Sequence, residues 1–291
     1  MGYKCLKYLL QENYAPKAIV IPYEEDEGSK IFKSIKLLSE KHNLNLFRYK
    51  KRDSDIELYN FIKKQNPDFG FSCYYSHIID KEILKLFKYK VFNIHGGLLP
   101  NYRGALSSVW SIINREESTG ATIHYINEKI DMGDIIEKKT CQILNEDTGY
   151  SLYEKVEKLS LELFIKYSNL VINGQINFDT FSQNQEEGKY YTRKIPNEGI
   201  IRWNENSRYI YNFCRALYFP GFIPAQTILY KKKIKVYSVI ETNQKSIKAP
   251  GTIINYKDKE LEVCSNDKNI IIKDHDLKIN EIDSIRNMVL R

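Results

Sequence analysis

The chain is 291 residues long and carries 44 Lys and Arg against 37 Asp and Glu, a formal net charge of +7. That length accommodates one large domain and one small one. No run approaches the roughly 20 apolar residues of a membrane span, and the start Met1-Gly2-Tyr3-Lys4-Cys5 has no signal-peptide pattern, so a membrane protein is excluded and a cytoplasmic one expected.

In chain order, hydrophobic periodicity predicts helix over 3–13, strand over 18–22, helix over 29–42, strand over 44–48, helix over 56–64, strand over 69–73, a short helix over 81–87, strand over 91–94 and helix over 106–114. This alternation argues for a doubly wound, mostly parallel α/β sheet. Paired strands at 121–125 and 135–144 follow, then a long amphipathic helix over 150–172 capped by Asp147 or Thr148. Trp110, with Val109, Ile112 and Ile113, is assigned to the core. The polar stretch 173–198, with Gly174, Gly188 and Pro196, reads as an inter-domain connection. A helix over 207–217 leads through Pro220, Gly221 and Pro224 into short strands at 226–229, 234–240, 251–255, 260–264 and 270–273, the pattern of a small β-barrel or open sheet.

The basic excess raises nucleic acid as a partner. Lysines are spread through the whole chain, however, and the one tight cluster, Lys231-Lys232-Lys233 beside Tyr230, reads as a hairpin tip or solvated edge. Nucleic acid is therefore not the expected partner. Cys5, Cys73, Cys141, Cys214 and Cys264 are odd in number and far apart, with neither a Cys-x-x-Cys pair nor a disulfide framework, and no metal is expected.

The chemistry concentrates between Val91 and Ile136. Val91-Phe92-Asn93-Ile94-His95-Gly96-Gly97-Leu98-Leu99-Pro100-Asn101-Tyr102-Arg103-Gly104 puts an amide and an imidazole two residues apart, hence on one face of a strand, at the end where open α/β sheets hold ligands. Asp131 follows in Asp131-Met132-Gly133-Asp134-Ile135-Ile136. An amide, an imidazole and a carboxylate suffice for acyl transfer to an amine. His95 is the candidate base, because imidazole titrates near neutral pH. Asn93 can aim an N–H at a carbonyl oxygen that turns negative. Asp131, with Asp134 as its nearest rival, can hold the imidazole in its useful tautomer and stabilise the imidazolium. Taken alone, an Asn-x-His pair is more often a structural couple. The company favours chemistry: Gly96 and Gly97 let backbone approach a ligand, Leu98-Leu99-Pro100 makes a stiff apolar loop, and Tyr102 and Arg103 stand at its rim.

These segments, together with Thr119-Gly120-Ala121-Thr122-Ile123-His124, resemble the 10-formyltetrahydrofolate-dependent formyltransferases, from the first residues to at least Trp203. Asn93, His95 and Asp131 match that family's Asn, His and Asp triad. The resemblance implies a Rossmann-like catalytic domain, a smaller β-rich, OB-like second domain, and 10-formyltetrahydrofolate as co-substrate, held around Tyr75, His77, Ile78, Gly97, Leu99 and Asp134. Among the branches, residues 71–79, the segment around His124, Arg193-Lys194-Ile195-Pro196-Asn197-Glu198-Gly199-Ile200-Ile201-Arg202-Trp203 and 211–217 look like the sugar-nucleotide N-formyltransferases. These formylate the amine of a nucleoside-diphosphate-linked amino-deoxy sugar for surface glycans. Methionyl-tRNA formyltransferase, usually without a His at the place of His124, and a truncated, inactive folate-binding relic are the alternatives.

Tyr102, Arg103, His124 and Arg215 are assigned to substrate, each with a plainer reading beside it. Arg103 can grip a diphosphate or solvate a turn, His124 can be a hydrogen-bonded core residue, and Arg215 can face water from a helix. The expected division is a catalytic domain over 1–180, a linker over 181–199 and a β-rich domain over 200–291. Family members begin with a strand and a Gly-containing turn where this chain begins in a helix. A central strand is thus expected to be missing, through a start that lies upstream in preference to a truncated enzyme. The residues carry no signal of oligomeric state, and a homodimer is left open.

Overall fold

The computed structural model describes residues 1–23, 33–50, 55–184, 186–277 and 287–291. The chain runs α1 (Gly2–Gln11), β1 (Ile19–Pro22), α2 (Ile35–Lys41), β2 (Leu46–Tyr49), α3 (Asp55–Gln65), β3 (Gly70–Cys73), α4 (Lys81–Leu84), β4 (Val91–His95), β5 (Tyr102–Gly104), α5 (Ser107–Ile113), β6 (Ser118–Tyr125), β7 (Ile135–Gln142) and α6 (Gly149–Ile172). It continues as β8 (Lys189–Tyr191), α7 (Ser207–Leu217), β9 (Ala225–Leu229), β10 (Lys232–Lys245), β11 (Ile253–Lys257), β12 (Glu260–Cys264) and β13 (Lys268–His275). Two compact units result. The first comprises Met1–Ser107, Thr119–Cys141 and Glu154–Tyr191, the second Ser108–Ser118, Gln142–Tyr153 and Thr192–Arg291.

In the first unit the expected α/β alternation builds parallel pairs, β1 with β2 and β3 with β4, while β6 joins β4 antiparallel. The strands form two sheets, β1-β2 and β3-β4-β6-β7. A cavity of about 1050 Å³ has both β1 and β3 in its wall, with Cys5, Leu6 and Leu9 of α1. The core lies on one face of the larger sheet. Phe92 and Ile94 of β4 and Ala121, Ile123 and Tyr125 of β6 pack there with Val156, Leu163, Phe164 and Tyr167 of α6. Phe92 and Ile94 are almost fully buried, and each such side chain contributes about 1.5–3 kcal/mol by leaving water. Because strand side chains alternate, this anchoring turns Asn93, His95, Thr122 and His124 to the opposite face. The register completes the arrangement by setting Asn93 against His124 and His95 against Thr122.

The second unit carries an antiparallel sheet in the order β11-β12-β13-β10-β9. Between β9 and β10, Tyr230 and Lys231 have φ of 48° and 65°, the geometry of a two-residue hairpin turn whose twist suits its strands. The lysine triplet therefore sits at a hairpin tip. At the start of α6, Thr148 is the cap: its Oγ1 accepts from Ser151 N–H (3.1 Å) and Ser151 Oγ accepts from Thr148 N–H (3.0 Å), a reciprocal pairing that satisfies helix-end donors. Asp147 accepts from the Ser151 hydroxyl instead.

The structure departs from the sequence reading at several elements. The helix expected over 29–42 begins at Ile35, because the Ser34 side chain accepts the Leu37 N–H and closes the first turn; residues 29–32 lie outside the described set. The helix expected over 81–87 is the single turn Lys81–Leu84. Trp110 and Val109 are half-buried, and the core contribution of α5 comes from Ile112 and Ile113. The polar stretch 173–198 contains a strand, β8, which pairs parallel with β5, itself unforeseen; backbone bonding over three residues needs no apolar pattern to announce it. All five cysteines are free thiols. Among the described residues no helix is long and apolar enough to cross a membrane, and no group of three His, Cys, Asp or Glu side chains could hold a metal ion.

Candidate active site

Asn93, His95 and His124 reach one point from adjacent strands, and the turn between β6 and β7 brings Asp131 to them. Asp131 Oδ2 lies 3.5 Å from His95 Nδ1, and Oδ1 lies 3.6 Å from His124 Nε2. Asn93 Nδ2 donates to Asp131 Oδ1 (3.2 Å) and meets His124 Nε2 at 2.9 Å. The tautomer of His124 follows from its other nitrogen: Nδ1 lies 2.7 Å from the Tyr125 carbonyl, which can only accept, so Nδ1 carries the hydrogen and Nε2 accepts from Asn93. By the same argument His95 Nε2, 2.6 Å from the Tyr102 carbonyl, carries a hydrogen. A further fixed donor is the Gly104 N–H, 2.8 Å from Asp131 Oδ2.

Electrostatics separate the two partners' tasks. Burial pushes the His95 imidazole below its ordinary 6.5, outweighing the upward pull of the Asp131 carboxylate, while His124 pushes it down further. His95 is thus neutral at pH 7 and able to take a proton. Burial alone would raise Asp131, but the neighbouring His95 and His124 rings and the Gly104 N–H together overcome it and hold this carboxyl at about 2. Asp131 therefore stays ionised beside an imidazole that becomes cationic on protonation.

The other residues assigned from sequence fall into separate places. Gly97 lies against His95, since a Cβ there would sit 2.9 Å from His95 Nε2. Leu99 is buried, and its N–H donates to Thr122 Oγ1 (3.2 Å). Tyr75, His77 and Ile78 line the large cavity, with the His77 ring edge-on to both Tyr49 and Tyr75. Asp134 is bound through its backbone, its carbonyl accepting from the Tyr125 N–H. Tyr102 and Arg103 turn inward: the Tyr102 ring stacks on Tyr191 at 5.3 Å, and Arg103, 6% exposed, gives its Nη atoms to Gln183 Oε1 and to the carbonyls of Asn184 and Glu187. In the second unit Arg215 donates to the Leu144 and Asp147 carbonyls and to Asn212, tying α7 to the start of α6. The Gly104 N–H, Tyr191 and Gln183 were missed from sequence. An aromatic beside a glycine-bounded polar run marks Tyr191; nothing local marks Gln183.

Residues 16–167 match the formyl transferase family model, and residues 194–289 match the model of the formyl transferase C-terminal domain. The chain belongs to the formyl transferase family. It is 33% identical, over 99% of its own length, to the bifunctional polymyxin resistance protein ArnA of Wigglesworthia glossinidia brevipalpis, of which it spans 46%. It is 32% identical to the methionyl-tRNA formyltransferase of Clostridium acetobutylicum, covering 90% of this chain and 84% of that protein. Among solved structures, WlaRD, a sugar 3N-formyl transferase crystallised with dTDP and 5-N-formyl-THF, shares the fold at TM-score 0.73 and 22% identity, covering 96% of this chain and 95% of that one. The N-formyltransferase of Helicobacter canadensis, in complex with folinic acid and dTDP-3-aminofucose, matches at TM-score 0.68 and 25% identity over 93% of this chain and 94% of that one. As a family member with an ionised carboxylate, a neutral imidazole and an amide in contact, this chain is a formyl-transferring enzyme.

Proposed function

We propose that the formyl group comes from 10-formyltetrahydrofolate and goes to the amine of a nucleoside-diphosphate-linked amino-deoxy sugar destined for a surface glycan. The observation that carries this reading is the convergence of Asn93, His95 and Asp131 at one buried point. The amine nitrogen attacks the formyl carbon and a C–N bond forms, while the carbonyl oxygen takes the negative charge. His95 removes the ammonium proton. The imidazolium then has an acceptor for each N–H, the Tyr102 carbonyl and the Asp131 carboxylate. Collapse breaks the bond to the folate nitrogen, which receives the proton, and neutral His95 returns.

Asn93 spends both amide hydrogens at rest, on His124 and Asp131. The longer bond, to Asp131, is the one to exchange for the developing oxyanion, as catalytic hydrogen bonds often tighten only with substrate in place. His124 stays beside this amide and orients it. The large cavity, apolar and wide, is the place for the folate.

The amino-sugar acceptor is supported by the Helicobacter canadensis likeness, whose complex pairs a folate with an amino-sugar nucleotide. A second reading, charged initiator tRNA, is favoured by the likeness to the Clostridium acetobutylicum protein. Tetrahydrofolate release assayed with dTDP-, UDP-, GDP- and CMP-linked amino sugars and with methionyl-tRNA decides between them. Sugar turnover is expected to vary weakly with salt, because one diphosphate meets few cations, whereas tRNA binding weakens steeply. Faster formylation of tRNA than of every sugar nucleotide would overturn the choice.

A further inference from the structure

We infer that Gln183 is the positioning residue that fixes the Asp131 turn, a role that rests on the triad reading above. Asp131 has φ of 52°, a left-handed conformation that Asp adopts as a single residue more readily than most side chains with a Cβ, and that local hydrogen bonds help to hold. Two residues on, Gly133 runs so close to β6 that an added Cβ would fall 1.7 Å from the Tyr125 carbonyl oxygen. The turn is therefore pressed against β6 by backbone contact on one side and needs a hold on its own carbonyls.

Gln183 supplies that hold. Its Nε2 donates to the carbonyls of Asp131 (2.9 Å) and Gly133 (2.7 Å), and its Oε1 accepts from Arg103 Nη2 (3.1 Å). Chemistry fixes the orientation of the amide, because the opposite one would set an oxygen against two carbonyls and an amine against a guanidinium. Arg103 is buried and precedes Gly104, whose N–H holds Asp131 Oδ2. The contacts form a closed ring: carboxylate to Gly104, along the chain to Arg103, across to Gln183, and back to the Asp131 carbonyl. One side chain thereby references the carboxylate and the backbone carbonyl of Asp131 to each other, from a segment beyond the 16–167 family match.

The test compares Gln183→Ala with Gln183→Glu. The Glu variant keeps and strengthens the acceptor for Arg103 but removes both donors to the turn. Both variants are expected to lose about tenfold to a hundredfold in kcat, the cost of slight misplacement of a catalytic group, with KM for either substrate within about threefold. In the free proteins, exchange of the Gly104 amide hydrogen should quicken at least about tenfold in both. This second readout needs no substrate, so it judges Gln183 even if the acceptor proposed above is wrong. A Glu variant with wild-type kcat would make Gln183 a prop for Arg103 alone and overturn the inference; so would unchanged Gly104 exchange, or a loss that appears in KM and spares kcat.

Discussion

Replacing Asp131 by Asn keeps the shape of the side chain and removes its charge, which isolates what the carboxylate does. Its two oxygens face His95 Nδ1 at 3.5 Å and His124 Nε2 at 3.6 Å while accepting from Gly104 and Asn93. An amide has one oxygen, so one of those two donors would meet an N–H. At 3.5 Å and an effective dielectric of about 20, the attraction between the carboxylate and an imidazolium is about 5 kcal/mol. That attraction exists only once His95 has taken its proton, so losing it should lower kcat by about three to four orders of magnitude. The comparable substitution in a Ser-His-Asp triad costs about four. The assay is tetrahydrofolate release with saturating acceptor, followed as a function of pH. Burial already sets His95 below 6.5 and Asp131 pulls it up, so the acid limb of kcat/KM should lie below pH 6.5 and move lower in the variant. A loss under tenfold, or an acid limb that moves upward, would refute the assignment. Stability carries the same signature. A carboxyl held at about 2 against 3.8 in the unfolded chain contributes roughly 2 kcal/mol. That contribution is present above pH 4 and lost as pH falls towards 2, so the melting temperatures of wild type and variant should converge in acid.

Further substitutions address the neighbouring groups. His95→Asn should leave the fold intact and slow turnover about a hundredfold or more; near-normal turnover would move the base elsewhere, with His124 next in line. Asn93→Ala should cost about 3 kcal/mol in kcat if its amide serves the oxyanion, and an effect confined to KM would make it a binding residue. Arg103→Met should lower unfolding stability by roughly 1–3 kcal/mol, since it strips carbonyls of their donor, with KM for the nucleotide sugar unchanged. A tenfold rise in that KM without loss of stability would return Arg103 to the substrate.

Part of the site was legible because it depends on local geometry. Period-two alternation alone puts Asn93 and His95 on the face opposite Phe92 and Ile94, and the residues before α6 narrow its cap to Asp147 or Thr148, of which the folded chain uses Thr148. The α/β alternation likewise rests on short-range periodicity, and it announced the parallel pairs. Other decisions belong to contacts between distant segments. That His124 sits across from Asn93 is a matter of strand register, and a slip of one residue would turn it to the other face. That Asp131 reaches His95 depends on a left-handed turn held by Gln183, in a stretch whose polar composition reads as a linker. The inward turn of Arg103 has the same origin: a guanidinium beside a glycine faces water or protein according to which carbonyls lie near it, and those of Asn184 and Glu187 come from some 80 residues later. Side-chain chemistry and periodicity are properties of the chain as written. Which groups touch is set by register and by turns held from afar, and those exist only when the chain has folded.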